Sequence, residues 1–155
     1  MNRNQAQGVI EFAAQQFMEA DRYLLEYNLG ERCIVSRYAF HLQALVTDYS
    51  VDVEYNRAGA AAKRANLPEE CFNAMDEDGR ALVVPDLIVH RRGLEGPNLM
   101  AIEMKKTTDP RGLDCDRLRV RAFREQLQYR YGVILVCETR RRREIGLHVV
   151  EWLGD

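Results

Sequence analysis

ALVVPDLIVH at residues 81–90, followed across RRGLEGPN (91–98) by LMAIEMKK (99–106), is the part of the chain from which its architecture is read most directly. The first run is apolar at both parities, as expected of an interior strand covered on both faces. RRGLEGPN places two glycines and a proline between two strand-like runs, so it predicts a hairpin loop that sets them antiparallel. Strand alternation in the second run puts Glu103 and Lys105 on one face and Met100, Ile102 and Met104 on the other. Asp86 and Glu103 then lie in the middle of strands too apolar to carry a carboxylate for solubility. A carboxylate buried ionised and alone costs several kcal/mol, so each calls for a cation, a metal, hydrogen bonds or a proton.

Working outward, apolar positions at Ile10, Ala14, Phe17 and Leu24 predict a helix over 4–27, which Asn28-Leu29-Gly30 breaks. A second helix is predicted over 31–47, with Val35, Tyr38, Leu42 and Leu45 along one stripe and Glu31 in phase with it. Asn28 to Glu31 also reads as an Asn N-cap with a capping-box glutamate. Val51, Val53 and Tyr55 alternate with Asp52, Glu54 and Asn56, a strand whose polar side is half solvated. Residues 58–80 form a long connection, a short helix or a mobile loop, closed by a turn at Asp76, Asp78 and Gly79.

Downstream, a helix is predicted over 114–131, apolar at Val120, Phe123, Leu127 and Tyr131, with Arg117, Arg121 and Arg124 in a stripe beside that face. GVILVCE (132–138) reads as a buried strand, TRRRREIG (139–146) as a basic turn and LHVVEWL (147–153) as a last strand. The order predicts an α/β fold at the α+β boundary, a central mixed β-sheet flanked by helices. A single domain over 1–155 is expected, its N-terminal helix 4–27 packed on a core of 28–155.

At 155 residues, 46% of them hydrophobic and only four of them proline, the chain has no room for a disordered majority. No window approaches the roughly 20 apolar residues of a membrane span, and MNRNQAQGVI lacks the basic start and apolar run of a signal peptide. A cytoplasmic protein with no membrane partner is expected. Cys33, Cys71, Cys115 and Cys137 are far apart with no C-x-x-C pair, which predicts reduced thiols and no zinc site. His41, His90 and His148 share no ligand spacing and read as ordinary packed or surface residues. The net charge of −2 lacks the strongly basic signature of a nucleic-acid coat protein, although residues 1–80 carry −5 and residues 81–155 carry +3.

With the two runs antiparallel, Asp86 comes beside Glu103, and Lys105 adds an amine. Two carboxylates and the backbone carbonyl of Met104 suit Mg2+ or Mn2+, which take oxygen ligands, waters and phosphate oxygens. An ammonium there can help a metal-bound water lose its proton and neutralise charge developing on a phosphate. The set suits metal-assisted phosphodiester hydrolysis.

Pro85-Asp86, a gap of sixteen residues, then Glu103-Met104-Lys105 resembles the PD-(D/E)xK superfamily of restriction-endonuclease-like phosphodiesterases. The resemblance covers roughly residues 28–138 and includes the order of elements. It implies Asp86 and Glu103 as metal ligands, Lys105 as the catalytic lysine and Glu31 as the acidic residue of the first core helix, orienting a lysine or holding a second ion. Gln126 and Tyr131 stand where some members carry Q-x-x-x-Y, but four residues separate them here, a departure from the RecB-like pattern. The implied function is a metal-dependent nuclease acting on DNA or RNA, with Arg117, Arg121, Arg124 and Gln126 as candidate nucleic-acid contacts. Its surface is small for gripping a duplex, which a homodimer or a helper protein would remedy. The alternative is a non-catalytic scaffold of the same fold that binds nucleic acid or a protein, with the carboxylates in structural ion pairs. The absence of a Gly-rich phosphate loop argues against a hydrolase of small phosphate compounds.

Overall fold

The computed structural model describes residues 1–55, 57–58, 61–62, 64–93 and 98–155. Residues 94–97 of the expected hairpin loop, and 59, 60 and 63 of the 58–80 connection, lie outside the described residues. Helix α1, Arg3–Ala20, starts at a reciprocal cap in which Asn2 accepts from the Gln5 N–H and Gln5 accepts from the Asn2 N–H. Its buried stripe is Ala6, Ile10, Ala13 and Phe17. The helix expected over 4–27 breaks at Asp21, whose carboxylate is held 3.0 Å from Arg37 and 2.6 Å from His41; the short α2, Tyr23–Glu26, follows. Helix α3, Glu31–Leu45, is capped by Gly30 with no side-chain acceptor, and Asn28 takes φ 51°, so the expected Asn28 cap is not formed. Ile34, Val35, Tyr38 and Leu42 are the buried side of α3.

Among the described residues, five strands build the main sheet: β1 Ser50–Val53, β2 Leu87–His90, β3 Asn98–Lys106, β4 Tyr131–Glu138 and β5 Gly146–Leu153, with short two-stranded ribbons beside it. The five stand in chain order. All neighbours are antiparallel except β3 and β4, which run parallel with helix α4, Asp114–Gln126, as the crossover. The result is a single α+β domain with a mixed sheet.

Further elements differ from the sequence reading, and the strand expected to alternate through Tyr55 ends at Val53, where Glu54 takes φ 51°. The run 81–90 is not one strand: Ala81–Leu82 pairs with Ala74–Met75 in a separate ribbon, and only Leu87–His90 joins the sheet. Pro85 has no N–H for a ladder. Asn73 instead satisfies Val84, donating to its carbonyl at 2.7 Å and accepting from its N–H at 2.8 Å. Asp86 therefore sits just before a strand rather than inside one. Helix α4 stops at Gln126 because Gln128 takes φ 58°, and Tyr131 opens β4 instead of closing the helix.

The helices cover both faces of the sheet. Leu87, Val89, Met100, Ile102, Met104, Val133 and Leu135 pack with α1 and α3, while Ile88 and Ala101 pack with Phe123 of α4. Helix α4 lies so close to β4 that a Cβ on Gly132 would meet the Val120 carbonyl oxygen at 3.0 Å. Asp52, expected on a half-solvated face, accepts from Arg92 at 2.8 Å and pairs with the buried His90 at 2.7 Å. The connection before β2 contains a 3-10 turn, Glu69–Cys71. Cys71 is disulfide-bonded to Cys115, contrary to the expected reduced thiols, because folding brings their Cα atoms to 5.1 Å. Among the described residues, no helix is long and apolar enough to cross a membrane.

Candidate active site

Side-chain parity assembles the site. Ala101 faces α4, so Glu103 and Lys105 of β3 face the same way. Ile88 of β2 shares that face, and Asp86 lies two residues before it. The pairing of Leu87 with Ile102, carried on one step, sets Asp86 beside Glu103. The Met104 N–H donates to Asp86 Oδ2 at 2.7 Å. Burial pushes the Asp86 carboxyl up to about 6; the nearby Glu31 charge adds to this and the Met104 N–H opposes it.

Glu103 is 1% exposed. Arg119 of α4 donates to its Oε2 from Nε at 3.0 Å and from Nη2 at 2.9 Å, while Oε1 is buried with no hydrogen-bond partner among the described residues. Burial, and then the Asp86 charge, push the Glu103 carboxyl above the usual range against the pull of Arg119. The Lys105 ammonium lies 3.4 Å from Asp109 and 3.3 Å from Asp116, and Asp116 also pairs with Arg119. Hydrogen bonds from Arg111 hold the Asp109 carboxyl well below the usual range. Glu31 comes from the other side of the sheet: the first turn of α3 crosses the carboxyl end of β3, and Glu31 Oε2 accepts from the Lys106 N–H at 3.2 Å. The Lys106 ammonium donates back to the Leu29 carbonyl at 2.9 Å.

These groups meet at a cleft of about 410 Å³ whose lining includes Glu31, Asp86, Met104, Lys105, Asp116 and Arg119. It lies at the carboxyl end of the parallel pair β3 and β4, where open sheets with crossover helices commonly place ligands. A recess of about 330 Å³ adjoins it, sharing Glu31 and Arg111. A larger groove of about 540 Å³ runs between α1 and β5, lined by a mixture of apolar and charged side chains such as Ile10, Glu11, Met18, Arg22 and Leu147, and its two carboxylates, Glu11 and Glu144, are exposed rather than buried. Among the described residues, no three His, Cys, Asp or Glu side chains converge as a metal cluster. The donors are two neighbouring carboxylates, one with a buried orphan oxygen. That set fits a hard divalent ion completed by water and phosphate oxygens, not a closed protein cage.

Three of the four expected catalytic residues, Glu31, Asp86 and Lys105, line the cleft; Glu103 is buried beside it and does not. The expected nucleic-acid contacts lie elsewhere. Arg117 is 2.9 Å from Glu151 and 3.4 Å from Asp114, Arg121 is exposed and Arg124 is half-buried in the last turn of α4. Gln126 clamps the backbone of Asn66, accepting at 2.7 Å and donating at 3.2 Å. Arg140 is held 2.6 Å from Glu138, consistent with the basic turn as a solvated surface. Sequence reasoning missed Asp116 and Arg119. Their signal was present: they are in phase with Val120 and Phe123 on the buried stripe of α4.

No family model and no curated protein matches the chain. A solved structure described as the crystal structure of SSO0001 is similar over 94% of this chain and 77% of that one, at 12% identity and a TM-score of 0.35. A likeness of that strength supports no statement about fold or function.

Proposed function

We propose that the chain is a metal-dependent nuclease of restriction-endonuclease-like architecture, hydrolysing phosphodiester bonds in DNA or RNA. What carries this reading is the convergence of Asp86, Lys105 and Glu31 on one cleft, with Glu103 and its unpartnered oxygen buried beside Asp86. Asp86 and Glu103 would hold Mg2+ or Mn2+, which supplies Lewis acidity and an activated water when bound. Glu31 anchors the backbone N–H of Lys106 and so steadies the strand end that carries Lys105. Asp109 and Asp116 hold the Lys105 ammonium at the cleft wall, where it can neutralise charge on a scissile phosphate.

A second reading, a non-cleaving scaffold, is favoured by one observation: Glu103 already has Arg119, and Lys105 already has Asp109 and Asp116, so the charges are compensated within the protein. The test is Mg2+-dependent cleavage of single-stranded DNA, duplex DNA and RNA by wild type, Asp86→Ala and Lys105→Ala. Wild type is expected to cut at least one polymer, and both variants to lose that activity. A folded wild type that cuts none supports the scaffold, and full activity in Lys105→Ala removes the lysine from the chemistry.

A further inference from the structure

We infer that Arg119 is a positioning residue for the Glu103 carboxylate, tying down Oε2 so that Oε1 is presented to the divalent ion it shares with Asp86. This rests on the metal reading of the cleft and adds a residue that the PD-(D/E)xK resemblance does not supply.

The argument starts from how the guanidinium is used. An arginine facing a carboxylate commonly spreads two parallel N–H donors over both oxygens. Here both donors, Nε and Nη2, converge on Oε2, and Oε1 is left buried with no partner among the described residues. An orphaned oxygen on a carboxylate that is 1% exposed is costly, and native interiors leave few of them. A cation bound at Oε1 would remove that cost. Asp86 is held in the same manner, since its Oδ2 is taken by the Met104 N–H. Each carboxylate thus has one oxygen fixed by a protein donor.

Arg119 is itself immobilised from three directions. Its Nη2 bonds Asp116 Oδ1 within α4 as well as Glu103 of β3, and its Nη1 donates to the Cys71 carbonyl of the 3-10 turn at 3.4 Å. The other oxygen of Asp116 lies 3.3 Å from the Lys105 ammonium, an ion pair without a hydrogen bond, so one carboxylate sits between the residue that holds the ligand and the candidate catalytic lysine. Removing such outer support from metal ligands typically weakens metal binding about 10–100-fold.

The experiment is Mn2+ titration by isothermal calorimetry on the full chain, well below the melting temperature, for wild type, Arg119→Met, Arg119→Lys and Asp86→Ala. Melting of each metal-free protein is recorded alongside. Arg119→Met is expected to weaken Mn2+ binding about 10–100-fold, and Arg119→Lys, which keeps the charge but loses the fork, to recover part of it. A purely structural arginine would lower the melting temperature and leave the affinity of the folded protein unchanged, which overturns the inference. Tighter binding in Arg119→Met also overturns it, because Arg119 would then be a competitor of the ion. If Arg119→Met does not fold, Arg119→Lys decides: weaker binding than wild type supports the inference, and equal or tighter binding refutes it. A wild type that binds no Mn2+ removes the metal reading itself and this inference with it; binding in wild type that Asp86→Ala loses keeps that reading whatever the arginine variants do.

Discussion

Replacing Cys71 and Cys115 together by alanine cuts the link between the 3-10 turn and the start of α4, and its cost can be worked from the chain. The bridge spans a sequence separation of 44 residues. In the chain-entropy account, closing a loop of that length removes about 13 cal/mol/K from the unfolded ensemble, or about 4 kcal/mol at 25 °C. For a domain of this size each kcal/mol moves the melting temperature by about 2–4 °C, so the variant should melt about 8–16 °C lower. Alanine is the better replacement because Cys71 is buried and a serine hydroxyl there would add a desolvation cost of its own. Thiol titration comes first. In denaturant the wild type should show two reactive thiols, Cys33 and Cys137, of its four cysteines. In the folded protein only the exposed Cys33 should react readily, since burial pushes the Cys137 thiol up to about 12. Melting of oxidised wild type, reduced wild type and the double variant then completes the test, with the last two expected to coincide at the lower temperature. Four thiols in the denatured wild type, or oxidised and reduced wild type melting together, would refute the reasoning.

Two further outcomes follow from the packing and the charges. Gly132→Ala forces a methyl to 3.0 Å from the Val120 carbonyl oxygen and 3.3 Å from the Val120 Cβ, atoms of a helix that cannot swing aside. Urea unfolding should show a loss of about 1–3 kcal/mol, and an unchanged midpoint would mean that α4 and β4 are not so closely apposed. The Arg140 side chain, helped by the Thr107 hydroxyl, pushes the Glu138 carboxyl down to about 2 from the ordinary 4.5. A lowered folded pKa stabilises the protein above the unfolded value, and that contribution is lost as pH falls from about 4.5 through about 2. Urea midpoints measured across that range should fall more steeply for wild type than for Glu138→Gln; parallel profiles would contradict the assignment.

The sheet was legible because alternation is a local property. Val51 and Val53, and Met100 and Ile102, each report their own face, while the unbroken apolar run 132–138 reports burial on both, and the structure places them accordingly. The same alternation was enough to set Glu103 and Lys105 on one side of β3. Features that depend on a partner distant in the chain were not legible. Nothing near Val84 in sequence shows that Asn73 will take both its backbone groups, so the break before Asp86 read as unbroken strand. Cys71 and Cys115 carry no spacing signal, because 44 residues of intervening fold bring them together. Sequence alone leaves Gln126 available to a ligand, but the fold gives its side-chain amide to the Asn66 backbone.

Helix α4 shows where a pattern read through apolar residues alone misleads. Its exposed arginines at 117 and 121 form a regular stripe, and regularity on a solvent face is weak evidence of a ligand contact: Arg117 is answered within the protein by Glu151 and Asp114. Asp116 and Arg119 break the rule of the opposite face, standing in phase with Val120 and Phe123 where an apolar residue would pack. A charge kept on a buried stripe must be answered across the interface, since leaving it unpaired costs more than a hydrophobic replacement would. The answering groups are the carboxylate and the amine of β3, Glu103 and Lys105. Two charged pairs facing each other across one helix–sheet interface therefore add Asp116 and Arg119 to the buried polar cluster around Glu103 and Lys105, a compensation that serves a non-cleaving scaffold as well as a candidate active site.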